Sequence, residues 1–312
     1  MAHNHAQRHA DSHPNYSFRN GSNRQHRASA KGALLLIGGH EDQKGDRVIL
    51  QELARRAKKG KLVVATLASE EPGAQWQEYE QTFRELGVQR IEQLDVRRRK
   101  ELLDNPRLDL LEDASVVFFA GGDQLKITTK LGGTPLSEGI KELYRRGATI
   151  AGTSSGASVL SDVMLVAGAG KESPETGGAL RLGPGLGLLP GVIIDQHFAE
   201  RGRIGRLLGV VAQNPRLLGI GIDENTAVLF ERDEDVTVLG SGAVSIVDGR
   251  EVTYTNVAEE GKQTISVFGV RLHVLSPADR FHLRTRKPQS APKETGEREI
   301  PSRARTDEKS CT

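Results

Sequence analysis

Gly152-Thr153-Ser154-Ser155-Gly156 carries the spacing G-x-S-x-G. It follows the apolar run Ala148–Ile150 and precedes Ala157, Val159 and Leu160, the strand–turn–helix setting in which a serine becomes a nucleophile. A nucleophile at such a turn holds a strained backbone, and small neighbours let the chain close around it. The N–H groups that follow, starting with Ser155, then sit where an oxyanion would form, at the start of an expected helix. A Gly/Ser turn also serves packing or phosphate binding, so a base must be sought. Away from the ends of the chain the histidines are His40, His197, His273 and His282. His273 and His282 fall in a late β-rich region and read as ordinary packed or surface residues. His40 follows the Gly38-Gly39 turn and borders the strand ends. His197 closes Val192-Ile193-Ile194-Asp195-Gln196-His197, and an apolar strand that ends in three polar side chains is costly unless they are used. The orienting acid is Asp223 or Glu224, after the strand Leu218–Ile222. Neighbours in a strand point to opposite faces, so the two do not easily both face His197. The order Ser, His, acid differs from the Ser, acid, His order of α/β-hydrolases.

The elements that must position these residues alternate in type. Strands are expected at Ala33–Ile37, Lys61–Ala68, Gln89–Leu94, Ser115–Ala120 and Ala148–Gly152, with helices at Asp46–Lys58, Pro72–Leu86 and Ser137–Arg146. Such alternation implies an α/β fold with a mostly parallel sheet flanked by helices. Beyond about residue 227 the runs shorten, and turns such as Asp248-Gly249 separate them. These predict C-terminal antiparallel strands at Val228–Phe230, Val236–Leu239, Val244–Val247, Glu251–Thr255, Thr264–Phe268 and Arg271–Leu275. Gly38-Gly39-His40-Glu41-Asp42 offers a metal site as one reading, and reads better as a turn in which Glu41 caps a helix.

Composition narrows the class. The chain has 312 residues and a net charge of +2, which gives no electrostatic argument for a nucleic-acid or membrane partner. The charge is uneven. Residues 1–32 carry +4 and 284–312 carry +3, leaving the body acidic at −5. Both ends are poor in apolar residues and read as disordered, 1–31 as a His-rich basic tail and 284–312 as a second tail, around a catalytic domain at 32–283. The histidines of the first tail are better explained as solvated than as metal ligands. Cys311 is the single cysteine, which excludes a disulfide framework, a Cys-based zinc site and a cysteine nucleophile at the turn. No run reaches 18 apolar residues, and the polar N-terminus has no secretory h-region. Together these point to a cytoplasmic protein.

Four segments in order carry a more specific resemblance: Gly121-Gly122-Asp123-Gln124, Gly152-Thr153-Ser154-Ser155-Gly156-Ala157, Asp195-Gln196-His197-Phe198 followed by Arg201, Arg203 and Arg206, and Gly221-Ile222-Asp223-Glu224-Asn225-Thr226-Ala227. Residues 32–283 resemble the cyanophycinases, serine exopeptidases of peptidase family S51 related to aspartyl dipeptidase. Ser155 departs from the alanine that the family often carries there. The resemblance implies a sheet like that of class I glutamine amidotransferases, with Ser154 as nucleophile, His197 as base and Glu224, rather than Asp223, as the acid. It implies an oxyanion hole from the N–H of Ser155 and one from Gly122 or Asp123. Gln124, Asp195, Gln196, Arg201, Arg203 and Arg206 become substrate-binding residues. The implied substrate is the cyanophycin polymer, an aspartate backbone with arginine on each side-chain carboxyl, released as β-aspartyl-arginine. The family further implies a homodimer, and no cofactor or metal is called for. Glu172 and Glu175 are weaker candidates for meeting substrate arginines. Other readings are an aspartyl dipeptidase-type S51 enzyme and a non-catalytic amidotransferase-like binding protein.

Overall fold

A computed structural model of the chain describes residues 31–167, 180–231, 235–259 and 263–291. The first half alternates strand and helix: β1 Leu34–Ile37, α1 Val48–Ala57, β2 Lys61–Ala65, α2 Pro72–Glu85, β3 Ile91–Leu94, α3 Arg99–Asp104, β4 Ala114–Phe119, α4 Gln124–Leu131, α5 Pro135–Arg145 and β5 Thr149–Thr153. One helical turn, α6 Ser155–Ser158, follows. Then come β6 Val163–Ala167, β7 Arg181–Pro184, β8 Val192–Gln196, α7 Ile204–Gln213, β9 Leu218–Ile222 and β10 Thr226–Glu231. The chain continues through β11 Asp235–Gly240, β12 Val244–Asp248, β13 Tyr254–Thr255, β14 Val267–Phe268, β15 Arg271–Leu275, β16 Arg280–His282 and β17 Lys287–Gln289.

The main sheet has nine strands in the order β17-β16-β11-β10-β1-β5-β4-β2-β3. The run from β1 to β3 is parallel, and β10, β11, β16 and β17 extend it antiparallel. In β1 all four side chains are buried, as a strand covered on both faces requires. Alternation sends Leu34 and Leu36 into one core and Leu35 and Ile37 into another. The second core lies under α1, whose buried Ile49, Leu50, Leu53, Ala54 and Ala57 recur at helical spacing. On the other side α5 starts at Pro135 behind Thr134, whose hydroxyl accepts the Ser137 N–H at 3.3 Å.

β8 and β9 do not join this sheet. They form a second one in the order β15-β12-β9-β8, with β8 and β9 parallel. The reason lies in β1: β10 pairs antiparallel with one of its edges and β5 holds the other. Leu207, Val210 and Val211 of α7 pack on the second sheet with Ile193, Phe198 and Val247.

Three expectations need correction. The helix after Ser154 is a single turn, because the chain passes from Ser158 through the buried Val159 and Leu160 toward β6. The ordered body runs past 283, since β17 pairs with β16 through Arg280↔Gln289 and His282↔Lys287. Glu41 caps no helix; it is buried, accepting the Tyr79 hydroxyl at 2.6 Å and the Thr153 hydroxyl at 2.5 Å. Residues 1–30 and 292–312, and with them most of both expected tails, lie outside the described residues, as do Glu172 and Glu175.

Candidate active site

The two sheets meet where β1, β5, β8 and β9 all end, and the loops after those ends carry the candidate residues. The contact is close. The His197 N–H donates to Gly38 O at 2.8 Å and the Ser154 N–H to Ile37 O at 2.9 Å. A Cβ on Gly38 would stand 2.0 Å from Asp223 O, and one on Gly39 would stand 2.3 Å from the His197 ring. Only glycine lets β1 approach both loops of the second sheet this closely.

Ser154 has φ 54° and ψ −119°, a sparsely populated conformation that exposes a side chain at a sharp turn. The turn closes because Gly152 and Gly156 are bare: a Cβ on Gly152 would meet Gly156 O at 2.0 Å, and one on Gly156 would meet Phe119 O at 2.1 Å. Ser154 Oγ lies 2.8 Å from His197 Nε2. His197 Nδ1 lies 2.7 Å from Glu224 Oε1. His197 is only 4 % exposed and also has a positive φ, 48°. Burial pushes its pKa below the ordinary 6.5, and the charges of Arg201 and His40 act in the same direction, against the raising effect of Glu224. The ring is therefore neutral at neutral pH and able to accept the Ser154 proton. Glu224 sits below the ordinary carboxylate value: burial raises it, but hydrogen bonds from His40 and His197 outweigh that.

The two acids differ in side-chain direction. Asp223 turns away, accepting the N–H groups of Ala199 at 3.1 Å and Ala243 at 3.0 Å. Glu224 faces the imidazole, and its own N–H points at the Glu200 carboxylate at 3.2 Å. Of the expected oxyanion donors, the N–H groups of Ser155 and Gly122 make no backbone hydrogen bond among the described residues. Gly121 brings this loop against the serine, since a Cβ there would stand 3.3 Å from Ser154 Cβ. Asp123 is removed from the set. Its N–H already donates to Ala68 O at 3.0 Å, and its side chain caps α4 by accepting the Leu125 N–H at 2.8 Å.

The residues expected to bind substrate divide. Asp195 is 1 % exposed and salt-bridged to Arg203 at 3.2 Å and, through a fork, to Arg206. Gln196 meets Arg203 Nη1 through both its backbone and side-chain oxygens. These four residues cross-link the end of β8 to the start of α7, so the picture of Arg203 and Arg206 as open receptors is corrected. Burial lowers the Arg203 pKa to about 10, which leaves it a cation at neutral pH. Among the described residues its hydrogen bonds come from Nη1. Arg201, by contrast, is exposed and pairs with no described acid. Gln124 spends its amide N–H groups on Leu165 O at 3.1 Å and Val166 O at 3.4 Å.

His40 is the participant whose role the sequence did not announce. Its Nδ1 lies 2.8 Å from Glu224 Oε2. His40, His197 and Glu224 are the one trio of metal-binding side chains found among the described residues. Their nitrogen–oxygen separations of 2.7 and 2.8 Å are those of shared protons. Two ligands each ~2.0–2.1 Å from a tetrahedral ion would lie farther apart.

Comparison with known proteins shows the family. Residues 34–239 match the family model described as Peptidase family S51. The chain belongs to peptidase family S51. This S51 chain is 43 % identical over 259 residues to a cyanophycinase of Trichormus variabilis, covering 82 % of this chain and 87 % of that one. It is 39 % identical over 263 residues to a cyanophycinase of Synechococcus elongatus, covering 83 % and 81 %. A solved structure of a peptidase from an acI-B1 actinobacterium shares the fold, with a TM-score of 0.57 at 24 % identity over 80 % of this chain and 98 % of that one. As an S51 member the protein is a serine-type peptidase. No described helix is long and apolar enough to cross a membrane.

Proposed function

We propose that the protein hydrolyses cyanophycin to β-aspartyl-arginine by a Ser154–His197–Glu224 triad. The observation that carries this reading is the hydrogen-bonded run from Ser154 Oγ through both nitrogens of His197 to Glu224, at 2.8 and 2.7 Å. The substrate follows from the cyanophycinase relatives. Ser154 Oγ attacks the main-chain carbonyl of the polymer while His197 Nε2 takes its proton. Glu224 holds the Nδ1–H tautomer and stabilises the imidazolium that forms. The N–H groups of Ser155 and Gly122 receive the oxyanion, each such donor being worth about 2.7–4 kcal/mol. His197 then protonates the leaving amine, and a water repeats the sequence on the acyl-enzyme. Arg201, exposed beside the base, meets a substrate carboxylate. On the same reading the enzyme is a cytoplasmic homodimer acting as an exopeptidase, with residues 32–291 as its catalytic unit.

The test is mass spectrometry of soluble products after incubation with purified cyanophycin, with Ser154→Ala in parallel. The parent releases β-aspartyl-arginine. The variant keeps its thermal transition and loses turnover by roughly 10⁶-fold. Release from a folded Ser154→Ala protein at the parent's rate would remove the nucleophile assignment. A parent that releases nothing from the polymer and cleaves short aspartyl peptides would remove the substrate.

A further inference from the structure

We propose that His40 is a fourth member of the relay, a positioning residue that donates its Nδ1–H to Glu224 and fixes the carboxylate for His197. The inference rests on the serine-nucleophile reading above. Glu224 bridges two imidazoles, with Oε1 2.7 Å from His197 Nδ1 and Oε2 2.8 Å from His40 Nδ1. The two rings meet edge to face, with centroids 5.0 Å apart. The backbone places His40 deliberately. It holds φ 47°, a value uncommon for a non-glycine residue, directly after Gly38 and Gly39 have passed under His197. Its loop is tied to the acid's loop by Asn225, whose N–H donates to Gly39 O at 2.9 Å and whose Oδ1 accepts the Asp42 N–H at 2.9 Å.

A carboxylate on a loop has freedom about its last torsion. With Oε1 alone held, Glu224 could swing and present either oxygen. A second donor on Oε2 locks the carboxyl plane and leaves one oxygen aimed at His197 Nδ1. The contact to His40 is the more exposed of the two, because the His40 side chain is 72 % exposed and that of Glu224 is 25 % exposed. It therefore tunes the relay and does not hold the fold together.

The charges around His40 are sorted. Glu224 and His197 touch it. Arg201 and Glu200 follow on the segment after β8, Glu200 being committed to the Glu224 N–H. Asp42, two residues on, is turned toward the N–H groups of Lys44, Gly45 and Arg47. Asp223 is occupied by Ala199 and Ala243, and Glu41 by Tyr79 and Thr153. Glu224 is thus the acid left to His40. The charge of His40 also lowers the pKa of His197.

The experiment compares His40→Gly and His40→Asn with the parent. Both replacements accept a positive φ, and Asn keeps a neutral N–H donor near the Nδ1 position. Two rates are measured across pH: turnover of cyanophycin, and covalent labelling of Ser154 by a fluorophosphonate probe that needs no peptide substrate. The expected result is a plateau kcat and labelling rate roughly tenfold lower in His40→Gly, with KM little changed. His40→Asn recovers the plateau to within about threefold. In both variants the acid limb of the labelling rate moves to higher pH, because the His40 charge that lowers the pKa of His197 is gone. Parental plateau rates in His40→Gly would overturn the proposal, and so would an unrescued His40→Asn protein that remains folded. A parent not labelled at Ser154 would instead overturn the nucleophile assignment on which it rests.

Discussion

At the scale of single residues, the site separates charges that work from charges that hold. Asp195, Arg203 and Arg206 form a buried cluster in which each charge meets a partner, the condition under which buried ions are tolerated. Arg201 stands outside it, exposed, and acts on the base only through its field. This predicts a two-part effect for Arg201→Ala. Removing a cation that disfavours imidazolium raises the pKa of His197, so the acid limb of kcat/KM moves to higher pH. Loss of a contact to the substrate carboxylate raises KM by about 5–20-fold, the worth of an exposed charge-assisted hydrogen bond. A pH–rate series checks both parts, and an unshifted limb with unchanged KM would show that Arg201 does neither. In the parent the limb lies below the ordinary histidine midpoint of 6.5, for the burial reason already given.

At the scale of elements, catalysis depends on how closely β1 passes the loop after β8. β1 and β5 belong to the nine-stranded sheet and β8 to the four-stranded one, so Ser154 and His197 ride on different sheets. Gly39 is the spacer between them. Gly39→Ala places a methyl 2.3 Å from the imidazole and asks alanine to hold φ 102°. The backbone cannot give way easily, because Gly39 O is bonded to the Asn225 N–H and Gly38 O to the His197 N–H. The ring must move instead, and a displacement near 1 Å costs on the order of 10²-fold in rate. The expected outcome is a folded protein with kcat lowered by about that factor and Ser154 labelling slowed in parallel. A Gly39→Ala variant with parental kcat would show that the sheets have slack at this junction.

At the scale of the whole molecule, the C-terminal strands close the main sheet. Phe281 on β16 is buried against Val236 in the larger core, and β17 covers β16. Arg286, between the two strands, reaches Asp248 at 3.6 Å, where Arg250 also pairs at 2.9 Å. Burial raises the Asp248 pKa, but the Arg250 hydrogen bonds and the Arg286 charge outweigh it and hold it below 3.8. The stability from this group is present above the ordinary aspartate range and is lost as pH falls through its lowered value. A chain ending at Leu283 loses β17 and the Arg286 contact together. It should be about 1–3 kcal/mol less stable than the full chain, read from the denaturant midpoint. A chain ending at Ala291 should match the full chain. Equal midpoints for all three would return the boundary to 283.

Much of this was legible in the linear order of residues. Parallel strands reveal themselves as short apolar runs, and polar residues at the ends of such runs stand out because burying them is costly. That is why Ser154, His197 and the Asp223-Glu224 pair could be singled out, and why β1 to β5 were placed close to their observed limits. Glycine spacing marked the turn at Ser154 for an equally local reason. Chain order alone could not assign β8 and β9 to a second sheet, because hydrogen-bond partners are chosen by which edges remain free. Nor could it turn Glu224 toward His197 and Asp223 away, seat Arg203 and Arg206 on Asp195, or tie up the Asp123 N–H on Ala68. β17 escaped notice because a three-residue edge strand, Lys287–Gln289, carries a proline and no apolar alternation. His40 was the last to acquire a place, since its partner lies 184 residues away in sequence and 2.8 Å away in space. Residue type and local period act within a few positions along the chain, whereas side-chain direction and pairing are settled only when distant loops pack against one another.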